Sequence, residues 1–547
     1  MENCKQCQKS FEIPEIDKEF HQKMEVPAPT LCPDCRRCRR LAFWPFGIFR
    51  KRKCDLSGEQ IITVMSPDRE FPVYKREHWF SDAWSPPEQE IDWDRPFFDQ
   101  LYELQCKTPH AHQLGKGNTN CEYADDIWYC KNTYLSRSMS EVEDVYYVYR
   151  VLKARNCIDS TYCYELEQCY ECTYCFKCYN LKFSSHSRSC SDSYFLYDCK
   201  NCSNCFMCWN LRNQQYQIMN QQYSKEAYEA KLKELKLNSR NALKHYKTQF
   251  EDLIRTHAYH RADLNTNIQD CQGNYLTNCR NCRECYFWEN NEDCAYGMRG
   301  AENAKDSMDT CGQYSGELNY ECCQIAHLNN VKFSFYCVDC FDSEYLDHCY
   351  NCNNLFGCVG LKRKEYCILN KQYSKEEFKN LKARLIKHMT DSRSESFPNG
   401  EYGEFFPYKF AYTGFNLSLA GFYYSTPEGA KDEEEPMNDL ITAPSSPLPD
   451  TSEEIHDDWI GKTITCSKTG KPYSFIKKEL DFYRSHNLPL PEFYPEERNQ
   501  QRFTQMMAPF PNPTNCFTCK KEITTYHPRK LNYEKILCED CYLKTVY

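Results

Sequence analysis

Apolar positions follow two patterns along the chain. After Ser224 and again after Ser374 they keep a helical spacing: Tyr228, Leu232 and Leu235 share one face, as do Phe378, Leu381 and Leu385. Ser224 and Ser374 are natural N-caps, and Glu377 at the third helical position completes a capping box in the second copy. The first helical region runs on through NALKHYKTQFEDLIRTHAYH, whose apolar stripe either docks on its own domain or faces a partner. Between 106 and 373 the pattern changes. Tyr, Phe, Cys and Thr are dense, and Asn and Asp-Ser pairs punctuate them, as in CIDSTY, CSDSYF and CFDSEY. Short strands turning at Asn, Asp and Ser fit this better than helices do.

The middle is a duplication. Shifted by 150 positions, Cys190–Tyr228 aligns without a gap onto Cys340–Phe378, and Cys199, Cys202 and Cys208 meet Cys349, Cys352 and Cys358. A shift of 30 maps Cys169, Cys172, Cys175 and Cys178 onto Cys199, Cys202, Cys205 and Cys208. Such units cannot bury a face alone, so they stack. The expected class is mainly β: a central parallel β-solenoid-like repeat region with helical insertions, flanked by zinc ribbons, at about 25 to 35 residues per turn or pair of turns. An irregular, metal-nucleated fold is the competing reading. The expected organisation is a ribbon with a basic, aromatic tail (1–45), a degenerate knuckle and connector (46–105), a first repeat half (106–223), a helical insertion (224–262), a second half (263–373) and a helix (374–392). An aromatic, then acidic and proline-rich stretch (393–460), a ribbon copy without its full ligand set (461–505) and a C-terminal ribbon (506–547) complete it.

Composition narrows the chemistry. Of 547 residues 39 are cysteine, an odd number, so a complete intramolecular disulfide set is impossible. No apolar run is long enough to span a bilayer, and MENCKQCQKS has no secretory pattern. A cytoplasmic chain with reduced thiols and metal thiolates is expected. The net charge of −10 argues against whole-surface nucleic-acid binding, though not against a local basic site.

Two stretches carry the spacing of structural zinc sites: Cys4-x2-Cys7 with Cys32-x2-Cys35, and Cys516-x2-Cys519 with Cys538-x2-Cys541. Zinc takes four soft ligands in a tetrahedron, and two CxxC knuckles close such a site. Shifted by 462, the first ribbon aligns onto the region from Cys466: Phe20 meets Phe482, Pro33 meets Pro495, Arg36 meets Arg498 and Arg40 meets Arg502. Cys7, Cys32 and Cys35 face Thr469, Tyr494 and Glu497, so this copy keeps one ligand of four. CDLSGE at Cys54 has the same knuckle shape as CSKTGK at Cys466. The stretch CKQCQKSFEIPEIDKEFHQKMEVPAPTLCPDCRRCRR resembles a small zinc-ribbon family that reads CxxC–F–EF–P–CPxCR. The whole chain is also similar to a set of cysteine-rich proteins from candidate-phyla bacteria that combine a ribbon, a cysteine-repeat middle and NxQYSKE before helices. That resemblance implies architecture and location, and no activity.

The run CYECTYCFKC, Cys169 to Cys178, is spaced somewhat like an iron–sulfur loop, but its last gap is two residues and Tyr179 follows where proline is usual. In other copies Leu355 and Trp288 stand where Cys205 and Cys208 do. Apolar interior positions tolerate such exchanges and ligands do not, so packing is favoured over iron–sulfur, with metal between stacked pairs such as Cys199 and Cys202 the open alternative. Cys106, His110, His112 and Cys121 form a second candidate metal set, although HxH on a strand sends its rings to opposite faces.

From Arg36 to Lys53 the chain reads RRCRRLAFWPFGIFRKRK. Arg36, Arg37, Arg39, Arg40, Arg50, Lys51, Arg52 and Lys53, with Phe43 and Trp44 interleaved, suit phosphates and stacked bases. The other reading packs the aromatics inward and solvates the charges. The leading functional expectation is a non-catalytic zinc-binding scaffold with a macromolecular partner, its N-terminal ribbon touching nucleic acid, and no membrane. The alternatives are a β-solenoid enzyme acting on a polysaccharide-like substrate through Asp125 and Asp126 or Asp339 and Asp342, and a thiol redox protein. No Walker loop, Rossmann fingerprint, nucleophile elbow or HExxH is present.

Overall fold

A computed structural model describes residues 1–300, 303–394, 397–434 and 447–547. It is strand-rich, with several parallel sheets, and falls into two compact units: Met1–Leu114 with Leu264–Glu435, and Gly115–Asp263 with Pro436–Tyr547. Residues 435–446 of the acidic, proline-rich stretch lie outside the described residues.

In the second unit one parallel ladder runs at a register of twelve. Thr119 pairs with Lys131, Lys131 with Glu143 and Glu143 with Arg155. The column continues through Glu167 and Tyr179 to Ser191, Ser203 and Gln215. The backbone turns at every third residue: Asn156, Asp159, Tyr162, Glu165 and Gln168 all have φ near +50°. The residue after each turn is buried, giving Cys157, Ser160, Cys163, Leu166 and Cys169. A left-handed φ disfavours most L-residues, and Asn and Asp tolerate it best. They also bond along the column: Asn120 donates to Asn132 at 2.7 Å, Asn132 to Asp144 at 3.0 Å and Asn180 to Asp192 at 2.9 Å. This accounts for the Asn and Asp punctuation.

The register of twelve is shorter than the expected 25 to 35 residues per turn and close to that figure only as a pair, since two registers make 24. Shifts of 30 and 150 are multiples of three, so they preserve the inward position without being the period at which backbone pairs with backbone.

Interior space explains the cysteines. The inward positions of the second unit are filled mainly by Cys, Ser, Val, Ala and Leu, with Ile127 and Met139 near its start. A thiol there fits and can donate: Cys163 Sγ lies 3.3 Å from the Thr161 carbonyl and 3.6 Å from that of Cys172, and Cys172 Sγ lies 3.4 Å from the carbonyl of Leu181. The helices Lys225–Glu234 and Arg240–His257 are capped by Ser224 and Ser239. They bury Tyr228, Leu243, Phe250 and Ile254 in one cluster with Phe195 and Phe206 of the ladder. The apolar stripe is therefore docked at home.

The first unit holds the second ladder, where Asn329, Phe341, Asn353 and Glu365 form a column. Leu355 is fully buried, and so is Trp288 at 1 % exposure, as interior positions should be. The larger Trp288 fits because the inward residues of the next pass are Gly297 and Gly300, where an added Cβ would come within 2.1 and 2.4 Å of the indole. One extra residue enters here: Arg283 pairs with Ala295 at twelve, but Ala295 pairs with Met308 at thirteen. The helix Lys375–Asp391 carries the capping box from Ser374 and Glu377. The aromatic stretch after 400 is not a loose linker: Phe405, Phe406, Phe410 and Tyr412 are buried, and Phe406 packs edge-on to Phe335 at 4.8 Å.

Candidate metal centres and their docking contacts

Two groups of four thiols converge among the described residues. Within each, Cys4, Cys7, Cys32 and Cys35 or Cys516, Cys519, Cys538 and Cys541, the sulfurs lie within 4.8 Å of one another. Cys7 Sγ is 3.7 Å from Cys32 Sγ, and Cys519 Sγ is 3.8 Å from Cys538 Sγ. A tetrahedron with metal–sulfur bonds near 2.3 Å has edges of about 3.8 Å, so the donor set fits such an ion.

Local structure builds each site in the same way. The first knuckle is closed by Cys4 N–H to Lys9 O at 3.0 Å and Gln8 N–H to Cys4 O at 2.9 Å; the last by Cys516 N–H to Lys521 O at 2.8 Å and Lys520 N–H to Cys516 O at 3.0 Å. Gln8 and Lys520 take φ near +60° to make the turn. Cys32 and Cys538 cap the helices Pro33–Leu41 and Glu539–Val546, which carry Cys35 and Cys541 in their first turns. A helix N-terminus favours thiolate. Burial raises the Cys516 thiol, but the N–H groups of Cys538, Cys519 and Thr518 outweigh it and bring it down to about 6.

The region from Cys466 keeps the ribbon with one ligand of four. The hairpin Ile464–Thr465 with Pro472–Tyr473 and the helices Lys477–Ser485 and Pro495–Gln505 begin 462 positions after Glu2–Asn3, Ser10–Phe11, Glu15–Lys23 and Pro33–Leu41. At the emptied positions Lys468, beside Thr469, forms a salt bridge with Glu497.

The arginines of the helix Pro33–Leu41 point inward. Arg36, Arg37 and Arg40 are at most 3 % exposed, and Phe43 and Trp44 at most 2 %. Arg36 Nε and Arg40 Nη2 each lie 2.8 Å from a carboxylate oxygen of Asp309. Arg39 bonds Glu321 at 3.1 Å and Glu404 at 2.9 Å, and Arg37 pairs with Asp34 and donates to Tyr424 at 3.1 Å. Phe43 meets Phe335 at 4.9 Å. In this conformation these side chains are committed to protein and not offered to phosphate or base. Of the strand Arg50–Lys53, Arg50 pairs with Glu433 and Arg52 with Asp55, while Lys51 and Lys53 are exposed.

The second ribbon copy repeats this docking. Arg498 and Arg502 both pair with Asp159, the latter at 2.9 Å. Arg502 donates to the Tyr147 carbonyl at 3.1 Å, as Arg40 does to that of Tyr296 at 3.3 Å. Asp159 and Asp309 are 150 apart, and Tyr147 and Tyr296 are 149 apart because the extra residue falls between them. Sequence reasoning matched the arginines but missed these acids; their signal was the shift of 150.

Among the described residues, Cys106, His110 and His112 do not form a metal-binding group. His110 is buried, with Nε2 3.1 Å from Asp347, and His112 Nδ1 accepts the Arg76 N–H at 2.9 Å. Cys106 sits in the helix Phe97–Lys107, and Cys121 belongs to the second unit, its thiol 3.3 Å from the Thr119 carbonyl.

No protein-family model matches the chain, and no curated protein matches it.

Proposed function

We propose that the protein is a non-catalytic, zinc-stabilised cytoplasmic scaffold. Each ladder is read as a four-sided parallel β-solenoid, with twelve residues per turn and a left-handed corner every third residue. The ribbons are zinc sites of the closed, structural kind, which contribute folding energy. The observation that carries this reading is the repeated clamp: Arg36 and Arg40 on Asp309, Arg498 and Arg502 on Asp159. It spends the ribbons' charge on holding a solenoid, leaving the outer faces for a macromolecular partner. The nucleic-acid contact inferred for the N-terminal ribbon contracts to Lys51 and Lys53.

The enzyme alternative draws no support from its candidate acids. Asp126, Asp339 and Asp342 occupy left-handed positions of the ladder backbone, Asp342 accepts from the Asn330 side chain at 2.7 Å, and Asp125 is buried in the strand Thr119–Trp128. Thiol redox chemistry needs low-pKa, accessible sulfur. Access is what the ladder thiols lack: Cys157, Cys163, Cys169, Cys202, Cys282 and Cys340 are all buried.

The test is metal analysis of the purified full chain, with thermal unfolding before and after chelation. Two zinc ions per chain, and a lower melting temperature without them, are expected. Iron, or no bound metal, would overturn the reading.

A further inference from the structure

The hairpin at Cys54 is a counterpart of the C-terminal ribbon. Its strands Arg50–Lys53 and Gln60–Thr63 lie 462 positions before Asn512–Asn515 and Glu522–Thr525, with the same register: Arg50 opposite Thr63 as Asn512 is opposite Thr525. The knuckle bonds recur. Cys54 N–H reaches Glu59 O and Gly58 N–H reaches Cys54 O, both at 2.8 Å, as Cys516 and Lys520 do in the four-cysteine ribbon. One residue is inserted after the hairpin, and the match resumes at 463. Lys75 N–H lies 3.2 Å from Cys54 Sγ, as Cys538 N–H lies 3.4 Å from Cys516 Sγ. The strand Val73–Tyr74 pairs in parallel with His110–Ala111, as Ile536–Leu537 pairs with His260–Arg261.

Ser57, Lys75 and His78 therefore stand at the positions of Cys519, Cys538 and Cys541. Beside these backbone bonds, an ion-pair cluster lies at the same positions. Glu59 accepts from Lys75 Nζ at 2.7 Å and lies 3.8 Å from His78 Nε2. An ion pair stands at a ligand position here, as Lys468 with Glu497 does in the Cys466 copy.

We infer that Cys54, Ser57, Lys75 and His78 mark an emptied metal site that keeps the backbone of a complete one, so that restoring cysteine at 57 and 75 lets it take a tetrahedral divalent cation. Two thiols, at 57 and 75, are enough, because Cys54 is in place and neutral His78 is itself a zinc-type ligand; three cysteines and one histidine are a common structural set. The inference rests on reading the two complete ribbons as metal sites. It also makes the chain two copies of one module, each a ribbon pair and a ladder, with a different ribbon of the pair emptied in each copy.

The test is cobalt(II) titration of the full chain, following the thiolate charge-transfer and d–d bands. The parent takes two equivalents. Ser57→Cys with Lys75→Cys is expected to take three, with the third in a spectrum typical of mixed sulfur and nitrogen ligation. The variant that adds His78→Cys shifts that third spectrum to the all-sulfur type, and the double variant carries the test if the triple one does not fold. Two equivalents in a folded double variant whose parent also takes two would overturn the inference. A parent that takes none would overturn the ribbon reading instead, and one equivalent gained over that parent would still support the Cys54 site.

Discussion

Arg502 Nη1 lies 2.9 Å from Asp159 Oδ1, and both side chains are almost fully withdrawn from water. Asp159 also receives Arg498, and Thr161 Oγ1 accepts from Arg502 Nε at 2.9 Å. One carboxylate thus pairs with two buried guanidinium groups from a ribbon helix, and Glu479 Oε1 lies 3.6 Å from Arg498 Nη2. Removing one member of a buried pair strands the other charge, at about 3–5 kcal/mol. Asp159→Asn is expected to destabilise the second unit by that order, and Asp309→Asn to do the same to the first. Urea unfolding followed by hydrogen exchange on each unit checks this. A loss under about 1 kcal/mol would show that the clamp is not structural.

The same interface titrates near neutrality. Burial, against the pull of Arg498 and the Tyr147 hydroxyl, raises the Glu479 carboxyl to about 7. A carboxyl whose folded pKa exceeds its unfolded value, near 4.3, binds its proton more tightly when folded. Its contribution is most favourable below the unfolded pKa and is lost as pH rises towards 7. The second unit should therefore lose stability between pH 5 and 7.5, and Glu479→Gln should flatten that slope. Melting temperature against pH for both proteins gives the answer. Parallel profiles would rule Glu479 out as the titrating group.

Trp288 and Gly300 are a matched pair in the first ladder. A methyl at 300 meets the indole at 2.4 Å from a side chain with nowhere to retreat. Gly300→Ala should cost about 1–3 kcal/mol by overpacking. Combined with Trp288→Leu it should cost less than the sum of the two single changes, because the clash is gone. Additive losses in a double-mutant cycle would refute the pairing.

How much of this was legible in the sequence depends on which contacts are local. The ribbons were, because four ligands and their knuckles sit in two short segments, and Ser374 with Glu377 announces its helix within four residues. The inward role of the central cysteines was also readable, since Leu355 and Trp288 share their positions. The register of twelve was not. It is a backbone property, and side-chain identity repeats only every third residue. Nor was the fate of Arg36 to Arg40 readable, because their partners Asp309, Glu321 and Glu404 lie hundreds of residues away and a buried clamp has the same composition as an exposed basic patch.

The two four-cysteine groups differ in shelter, and this should appear in the kinetics of metal release from the loaded protein. At the N-terminal site only Cys7 is exposed, whereas Cys519 is exposed and Cys538 and Cys541 are half-buried at the other. A chelator or oxidant reaches thiolates in proportion to access. Metal release to a chromogenic chelator should be biphasic, with the C-terminal site emptying first. Cys541→Ser is expected to abolish the fast phase and Cys35→Ser the slow one. The assignment fails if Cys541→Ser leaves the fast phase intact. Alkylation of the native, metal-free chain extends the test to the ladders. Cys7 and Cys519 should react first, while Cys163, Cys169 and Cys172, buried among carbonyl acceptors, should label only after unfolding. Early labelling of those three would mean that the ladder interior opens under native conditions, and the packing role assigned to its thiols would then be wrong.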